Sequence, residues 1–297
     1  MSFLVNYDIQ HFVETNPTLV SRKETSYPGV YVLQYKKCVF YDNLWNEYLE
    51  ECRGTLVDEE YNVVSRPFTK IYNYGIEARA PNLDSATLVS AFRKVNGFMV
   101  AVTWYNDDIL VSTTGSTDSD YVKMALELIN HEKYLAVCRR WEGYTFMFEC
   151  VHTNDPHIIP EEIGMYLLGY RESYWNSQIE VRNHELIMLA EQFGCYMVES
   201  NQVSVGALVR LSKCVKHEGF VAYTDNGLAF KIKSPYYLVK KFVARNPNTK
   251  KLLDAHVKEK VDEEYYNLID HIQGNIESFT ALSEQARLVF VRNFLEL

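Results

Sequence analysis

Lys94 stands at the end of one apolar run, Ala86-Thr87-Leu88-Val89, and just before another, Phe98 to Tyr105. Gly97 lets the chain turn tightly between them. That places an amine at a strand end, aimed into whatever pocket the sheet encloses. A lysine amine becomes a nucleophile only as the free base, a form favoured by desolvation or by nearby positive charge. Far along the chain, Phe230-Lys231-Ile232-Lys233 supplies two more lysines at strand spacing, so both point to one face. Lysines of this kind could bind a polyphosphate and lower the pKa of Lys94. Two carboxylates complete the set. Glu149 lies inside the apolar run Tyr144 to Val151, where a carboxylate needs a partner, and a ligand or metal is a natural one. Glu218 opens the run Gly219 to Tyr223. Taken singly, Lys94 reads as a surface lysine at a turn and Glu218 as an edge charge; only the series gives them chemistry.

The elements that must position these residues follow from pattern and punctuation. Tyr31–Tyr35 and Cys38–Tyr41 read as a hairpin around Lys36-Lys37, and Leu49–Asp58 as a strand paired with Tyr61–Pro67. Phe98–Tyr105 and Ile109–Thr114 form a hairpin, Ser119–His131 a helix, and Tyr144–Val151 and Ile163–Tyr170 strands. Asn183–Phe193 is a helix ended by Gly194. Glu218–Tyr223 and Leu228–Lys233 pair across Asp225-Asn226-Gly227, a strong turn signal. Beyond Pro235 every periodic stretch is helical: Tyr236–Arg245, Leu252–Lys258, Glu263–Ile272 and Phe279–Phe294. The pattern predicts an α+β fold with a boundary near Pro247: a mixed, largely antiparallel-sheet domain over 1–245 and a small all-α module over 246–297.

Composition bounds the function. The chain has 297 residues, 47% hydrophobic and 23% charged, as ordinary globular proteins do. Its longest apolar run, Phe98–Val102, is far short of a membrane span, and the start lacks a basic, then apolar, leader. The six cysteines form no CxxC pair, which suits a reducing compartment. The expectation is a cytoplasmic protein that engages no membrane. A net charge of −9 argues against a nucleic-acid binder that uses its whole surface. Locally the sign reverses: from Lys231 to Lys251 there are seven basic residues (with Lys233, Lys240, Lys241, Arg245 and Lys250) and no Asp or Glu. Cys150, His152 and His157 lack the spacing of a compact zinc site.

Lys94-Val95-Asn96-Gly97 resembles the KxxG element of the covalent nucleotidyltransferases, the ligases and capping enzymes. Phe148-Glu149, Glu218-Gly219-Phe220-Val221 and Lys231-Ile232-Lys233 resemble that superfamily's later motifs, in its order. Upstream, Glu51-Cys52-Arg53-Gly54 and Ser65 to Asn73 resemble the bacteriophage tRNA-repair type of ATP-dependent RNA ligase, a likeness continued from Ile109-Leu110 to Gly115-Ser116. The resemblance implies an ATP-grasp-like adenylyltransferase domain, ATP as substrate and Mg²⁺, with Mn²⁺ able to substitute. It implies joining of RNA 5′-phosphate and 3′-hydroxyl ends, with nicked tRNA a candidate, by a monomer in the host cytoplasm. By the same resemblance Lys94 is the nucleophile, Lys231 and Lys233 contact the α-phosphate, and Arg53 and Lys70 meet the triphosphate or the RNA end. Glu149 holds the AMP ribose or a metal-bound water, and Glu218 helps place the metal. The backbone around Phe92, Arg93 and Val95 reads the adenine, while Asp262 and Glu263 match acidic residues at a second metal.

The chain departs from that family at two places. Asn96 stands where the phage ligases carry Asp, a change that brings no charge but still allows hydrogen bonding, so Asn96→Asp is expected to be tolerated. Thr113-Thr114 stands where they carry a lysine. The pattern GxxxxGK[ST] is absent, so end-healing kinase activity is not expected of this chain. The rival readings are a GTP-using capping guanylyltransferase and a nucleotide- or RNA-binding relative without catalysis. A capping enzyme or DNA ligase would carry a downstream OB domain, where this chain reads as helix.

Overall fold

In the computed structural model, residues 4–155, 157–245 and 257–296 are described. The expected boundary at Pro247, Lys250, Lys251 and the stretch 252–256 of an expected helix lie outside them, as does Pro156. The chain begins with α1 (Asn6–Thr15), β1 (Val20–Glu24), β2 (Tyr31–Tyr35), α2 (Lys37–Tyr41), α3 (Glu47–Glu51), β3 (Arg53–Val57) and β4 (Val63–Ser65). Next come β5 (Tyr72–Asn73), β6 (Leu88–Lys94), β7 (Phe98–Tyr105), β8 (Asp108–Ser112), α4 (Asp120–Leu128), α5 (His131–Arg140), β9 (Tyr144–Val151) and β10 (Gly164–Glu172). The rest is α6 (Asn183–Phe193), β11 (Tyr196–Met197), β12 (Ser200–Ser204), α7 (Val205–Ser212), β13 (Gly219–Tyr223), β14 (Ala229–Lys233), α8 (Pro235–Arg245), α9 (Tyr266–Gly274), α10 (Ile276–Ala281) and α11 (Glu284–Glu296). The α+β class stands, with antiparallel and mixed sheets and helices at the C-terminal end.

Two compact units divide the chain, and it passes between them five times. The first takes Met1–Lys70, Gly97–His157 and Glu161–Val198. It holds the sheet β1-β2-β3-β4 and the sheet β11-β10-β9-β7-β8. β9 lies between β10 and β7, and only its first residue is other than buried, which is why Tyr144–Val151 reads as an unbroken apolar run. Phe146 and Phe148 of β9 meet Phe193 of α6, and Phe148 meets Tyr134 of α5, with ring centroids 4.9–5.3 Å apart. Gly194 ends α6 in the left-handed region at φ 70°. A buried arginine ties the unit together: Arg66 pairs with Glu51 through both carboxylate oxygens, at 2.6 and 2.9 Å, and donates to Ser177 and to the Tyr174 carbonyl.

The hairpin expected around Lys36-Lys37 does not form. Residues 37–41 are helical, with Val39 fully buried, and β2 pairs instead with β1 and β3. Residues 47–51 are helical too, because Asn46 caps the turn by accepting from the Leu49 N–H at 2.9 Å. The helix expected over Ser119–His131 ends at Leu128 and is followed by a second, α5. The one expected over Phe279–Phe294 is broken between α10 and α11.

The second unit takes Ile71–Asn96, Ile158–Pro160 and Glu199–Leu297. Its sheet runs β12-β6-β13-β14-β5. In the register, Lys94, Gly219 and Lys233 stand opposite one another across β6, β13 and β14, as do Phe92, Val221 and Lys231. Directly opposed residues share a face, so all three lysines lie on one side of this sheet. The other side carries Ala91, Phe220, Ala222 and Phe230, and α7 covers it with Val205 and Leu208. Tyr237, Leu238 and Phe242 of α8 share one core with Leu268, Ile269 and Phe279.

Candidate active site

In the second unit, β6 ends on Lys94 and its Nζ lies 3.2 Å from Glu218 Oε1. Glu218 immediately precedes β13 and is only 4% exposed. Its other oxygen accepts from Asn96 Nδ2 at 2.9 Å. Asn96 Oδ1 in turn accepts the N–H groups of Ile158 and Ile159, at 2.9 and 3.0 Å. Those two donors fix which end of the amide faces Glu218. Asn96 therefore aims the carboxylate that touches Lys94, through an amide that a carboxylate could not replace without changing the hydrogen-bond pattern.

Across the same face, Gly219 separates Lys94 from Lys233. Two strand spacings put their Cα atoms about 10 Å apart. A side chain at Gly219 is barred: at φ 138° its Cβ would come within 2.0 Å of the Ile232 carbonyl oxygen. The row thus keeps an open position between two lysines. The Lys233 side chain is 10% exposed and pairs with Glu264 in the 3-10 turn Glu263–Tyr265. Burial disfavours its charge, but Glu264, then Glu218 and Asp262, outweigh that and hold its pKa above the ordinary lysine value. Burial alone would raise Glu264; Lys233 and then Lys231 pull it down to about 2. Asp262 pairs with Lys241 of α8. Burial first, and the charge of Lys233 second, push Lys241 below its ordinary value. Glu263 accepts from Asn73 Nδ2 at 2.9 Å, and Asn73 stands opposite Lys231 in the β5–β14 register.

Phe92 lies on the lysine face, its ring edge-on to Tyr223 at 5.9 Å. Arg93 takes the opposite face, and its backbone N–H donates to the Glu199 carbonyl at 3.0 Å. β6 is paired on both edges, so its backbone is engaged through Phe92 and Arg93, while Val95 lies beyond the strand.

The first unit carries Arg53, Lys70 and Glu149. Glu149 is 8% exposed and accepts the Gly97 N–H at 3.0 Å. Gly97 is demanded by close approach, since a Cβ there would meet the Cys150 carbonyl oxygen at 2.2 Å. Lys70 is buried, its Nζ 4.6 Å from the Trp45 ring and 5.4 Å from the Phe40 ring. Arg53 opens β3, and its Nε is buried with no hydrogen-bond partner among the described residues, a donor suited to an anion. Next to it, Gly54 at φ 102° leaves room for Thr114, whose Cα would lie 2.7 Å from a Cβ at that position.

The donor set fits a hard divalent cation. Such an ion takes one or two carboxylates and keeps its waters, and Glu218 offers one carboxylate beside the lysines. Among the described residues no group of three or more His, Cys, Asp or Glu forms a ready-made metal cage. Sequence reading had overlooked the pairing of Glu264 with Lys233. Its signal was an acid in a helix-opening turn, a place where acids are common for dipole reasons.

A family model described as RNA ligase matches residues 51–237, a stretch that includes Arg53, Lys70, Lys94, Glu149, Glu218, Lys231 and Lys233. Two structures of an archaeal ATP-dependent RNA ligase superpose with TM-scores of 0.61 and 0.60 at 14% identity, covering 97% and 99% of this chain and 74% and 78% of theirs. A protein of Aquifex aeolicus assigned as an ATP-dependent DNA ligase superposes with a TM-score of 0.62 at 14% identity, covering 97% of this chain and 77% of its own. At such identity the superpositions speak for the fold. The family match takes in more than half of the chain, which therefore belongs to the RNA ligase family.

Proposed function

We propose that this RNA ligase uses ATP and a divalent cation to join a 5′-phosphate RNA end to a 3′-hydroxyl end through lysyl-AMP and RNA-adenylate. The observation that carries the reading is the row Lys94–Gly219–Lys233 on one sheet face, with Lys231 beside it and Glu218 at Lys94. A nucleophilic amine and two cations lie on one surface with a side-chain-free position between them. In-line displacement at phosphorus asks for little else than positioning and charge neutralisation.

In this reading Lys94 Nζ attacks the α-phosphorus of ATP and pyrophosphate leaves. AMP then passes to the RNA 5′-phosphate, and the 3′-hydroxyl displaces it to seal the strand. The Lys94 ammonium must first lose a proton, and Glu218 Oε1 at 3.2 Å is within reach to take it. Lys231 and Lys233 meet the α-phosphate, and Arg53 and Lys70 the outer phosphates or the RNA end. Glu149 serves the ribose or a metal-bound water. A divalent cation, when bound, neutralises phosphate charge; Glu218, and in the tail Asp262 and Glu263, are its candidate protein ligands. Phe92 and Val95 are the candidates on the adenine side. The reading takes residues 1–245 as the nucleotidyltransferase domain and 246–297 as a helical module. It places a monomer in the cytoplasm, in RNA repair, with nicked tRNA a candidate substrate and a bacteriophage a candidate source.

The test is incubation with α-labelled ATP or GTP and Mg²⁺, without RNA, followed by denaturing electrophoresis. Label from ATP that disappears in Lys94→Ala is expected. Label from GTP alone would move the chain to capping chemistry. Nucleotide binding without label would make it a non-catalytic relative.

A further inference from the structure

The first unit contains a cavity that the ligase reading does not use. It has a volume of about 380 Å³, within the range of small-molecule sites, and every residue lining it belongs to that unit. The β9–β10 ladder supplies its rings. Tyr170 and Glu172 are two residues apart on β10 and share a face, and the register sets Tyr144 of β9 opposite Glu172. Trp141, between α5 and β9, packs edge-on against Tyr144 and Tyr170, with ring centroids 5.1 and 5.5 Å away. The three rings therefore make an angled wall rather than a flat platform. Glu180 is held beside Tyr170 by two backbone hydrogen bonds, at 2.8 and 3.2 Å. Glu185, in the first turn of α6, accepts the Tyr170 hydroxyl. We propose that this cavity binds a small organic cation of the polyamine class, with one amine against the aromatic wall and Glu172 and another against Glu180 and Glu185.

Ring chemistry and charge select that ligand. Elsewhere in this unit aromatic faces already hold a cation of the protein's own: Arg22 lies 3.5 Å from the Tyr31 ring centroid, and Lys70 lies 4.6 Å from that of Trp45. Among the described residues no lysine or arginine lies over Trp141, Tyr144 or Tyr170. An ammonium supplied from outside takes that place. Three carboxylates and one guanidinium, Arg182, line the cavity, which leaves the lining with two excess negative charges. Arg182 is exposed and pairs with Glu180 and Glu185 at 3.1 Å each. Such a surface pair is worth little, so an incoming amine can displace it. Glu172 accepts from the Tyr144 hydroxyl at 3.3 Å and keeps further lone pairs for an amine. The acids thus fall into two groups, which matches a ligand with at least two amines. A nucleotide fits less well, because its phosphate would meet the excess negative charge. The volume also exceeds what one lysine or arginine side chain fills, which favours a free molecule over a partner's side chain.

Spermidine is titrated into the full chain by isothermal titration calorimetry at physiological ionic strength. ATP and RNA are left out, so the outcome does not depend on the ATP-ligase reading. One saturable site is expected. Its Kd should rise about tenfold in Glu172→Gln and in Glu180→Gln, roughly the worth of one hydrogen bond to a charged group. Trp141→Leu keeps an apolar side chain and removes the ring, and should raise Kd roughly fivefold. Glu180→Gln changes an acid that is not buried, so its melting temperature should match wild type and the test stands even where Trp141→Leu fails to fold. Glu59→Gln, an exposed acid that does not line the cavity, should leave Kd unchanged. An equal loss in Glu59→Gln, or displacement of spermidine by Mg²⁺ at matched ionic strength, would reveal mere attraction to an acidic surface and overturn the proposal. An unchanged Kd in folded Glu172→Gln or Glu180→Gln would do the same, as would the absence of saturable binding. Tighter binding of N-acetyl-lysine amide than of spermidine would also overturn it, by assigning the cavity to a partner's side chain.

Discussion

In the proposed reaction Lys94 must be neutral to attack phosphorus, whereas its contact with Glu218 favours the ammonium. Glu218 is therefore best placed to hold the resting amine and to accept its proton. Glu218→Gln should slow self-adenylylation by roughly 100-fold or more at neutral pH; single-turnover labelling measures it, and an unchanged rate would remove Glu218 from the reaction. Asn96 is the more instructive residue. Its family variant suggested that Asp would serve equally well at this position. In the structure Asn96 donates to Glu218 and accepts from Ile158 and Ile159, so an Asp would set a second carboxylate against Glu218. Two carboxylates sharing one site resist ionising together, and protonation of one restores the missing donor. Asn96→Asp is thus expected to lose about tenfold in labelling rate at pH 7.5, roughly the worth of one hydrogen bond to a charged group, and to recover as the pH falls. A variant as active as wild type at pH 7.5 would contradict this.

At the scale of elements, β9 shows how a carboxylate is held inside an apolar strand. Glu149 takes the Gly97 N–H, and Gly97 comes close enough to do so because it lacks a Cβ. Gly97→Ala would force β7 and β9 apart where they pair Phe98 with Cys150. The expected cost is about 1–3 kcal/mol, with labelling reduced as well because Glu149 is displaced. Urea unfolding beside the labelling assay checks both. The other fastening is Arg66 against Glu51, which joins the end of α3 to the turn at Ser177. Arg66→Ala would strand a buried carboxylate and should cost about 3–5 kcal/mol. The Arg66 guanidinium is fully engaged in structure. An Arg66→Ala protein as stable as wild type in urea unfolding would contradict this structural role.

For the whole molecule, pH acts through the tail. Glu264 titrates at about 2 in the fold against 4.5 for a free carboxyl, so its folded pKa is depressed. The stability this represents is fully present above pH 4.5 and is lost as pH falls towards 2. The turn Glu263–Tyr265 and the core of α8 and α9 depend on it, through Lys233 and through Tyr265 Oη, which donates to the Leu238 carbonyl at 2.7 Å. Thermal melts between pH 7 and 2.5 should show wild type losing more than Glu264→Gln does, because only wild type has this pair to lose. Parallel declines in the two proteins would show that other carboxylates govern acid unfolding.

Local pattern determined much of this protein. The Asp225-Asn226-Gly227 turn and the two-residue period set β13 against β14 and put Lys231 and Lys233 on one face. The apolar runs around Lys94 fixed it at a strand end, and Gly194 ended α6 where the periodicity stopped. These are interactions between near neighbours in sequence, so composition and spacing suffice to read them. The short helices at 37–41 and 47–51 escaped, since a few apolar residues satisfy either period and burial decided between them. The α7 helix and the edge strand β12, which complete the sheet around β6, went unread for a like reason. Only the tertiary structure decided the partners: Glu218 for Lys94 and Asn96, Glu264 for Lys233, Asp262 for Lys241 and Asn73 for Glu263. Charged side chains carry no periodic signal of their own. Which acid meets which lysine depends on how burial brings distant strands and turns together.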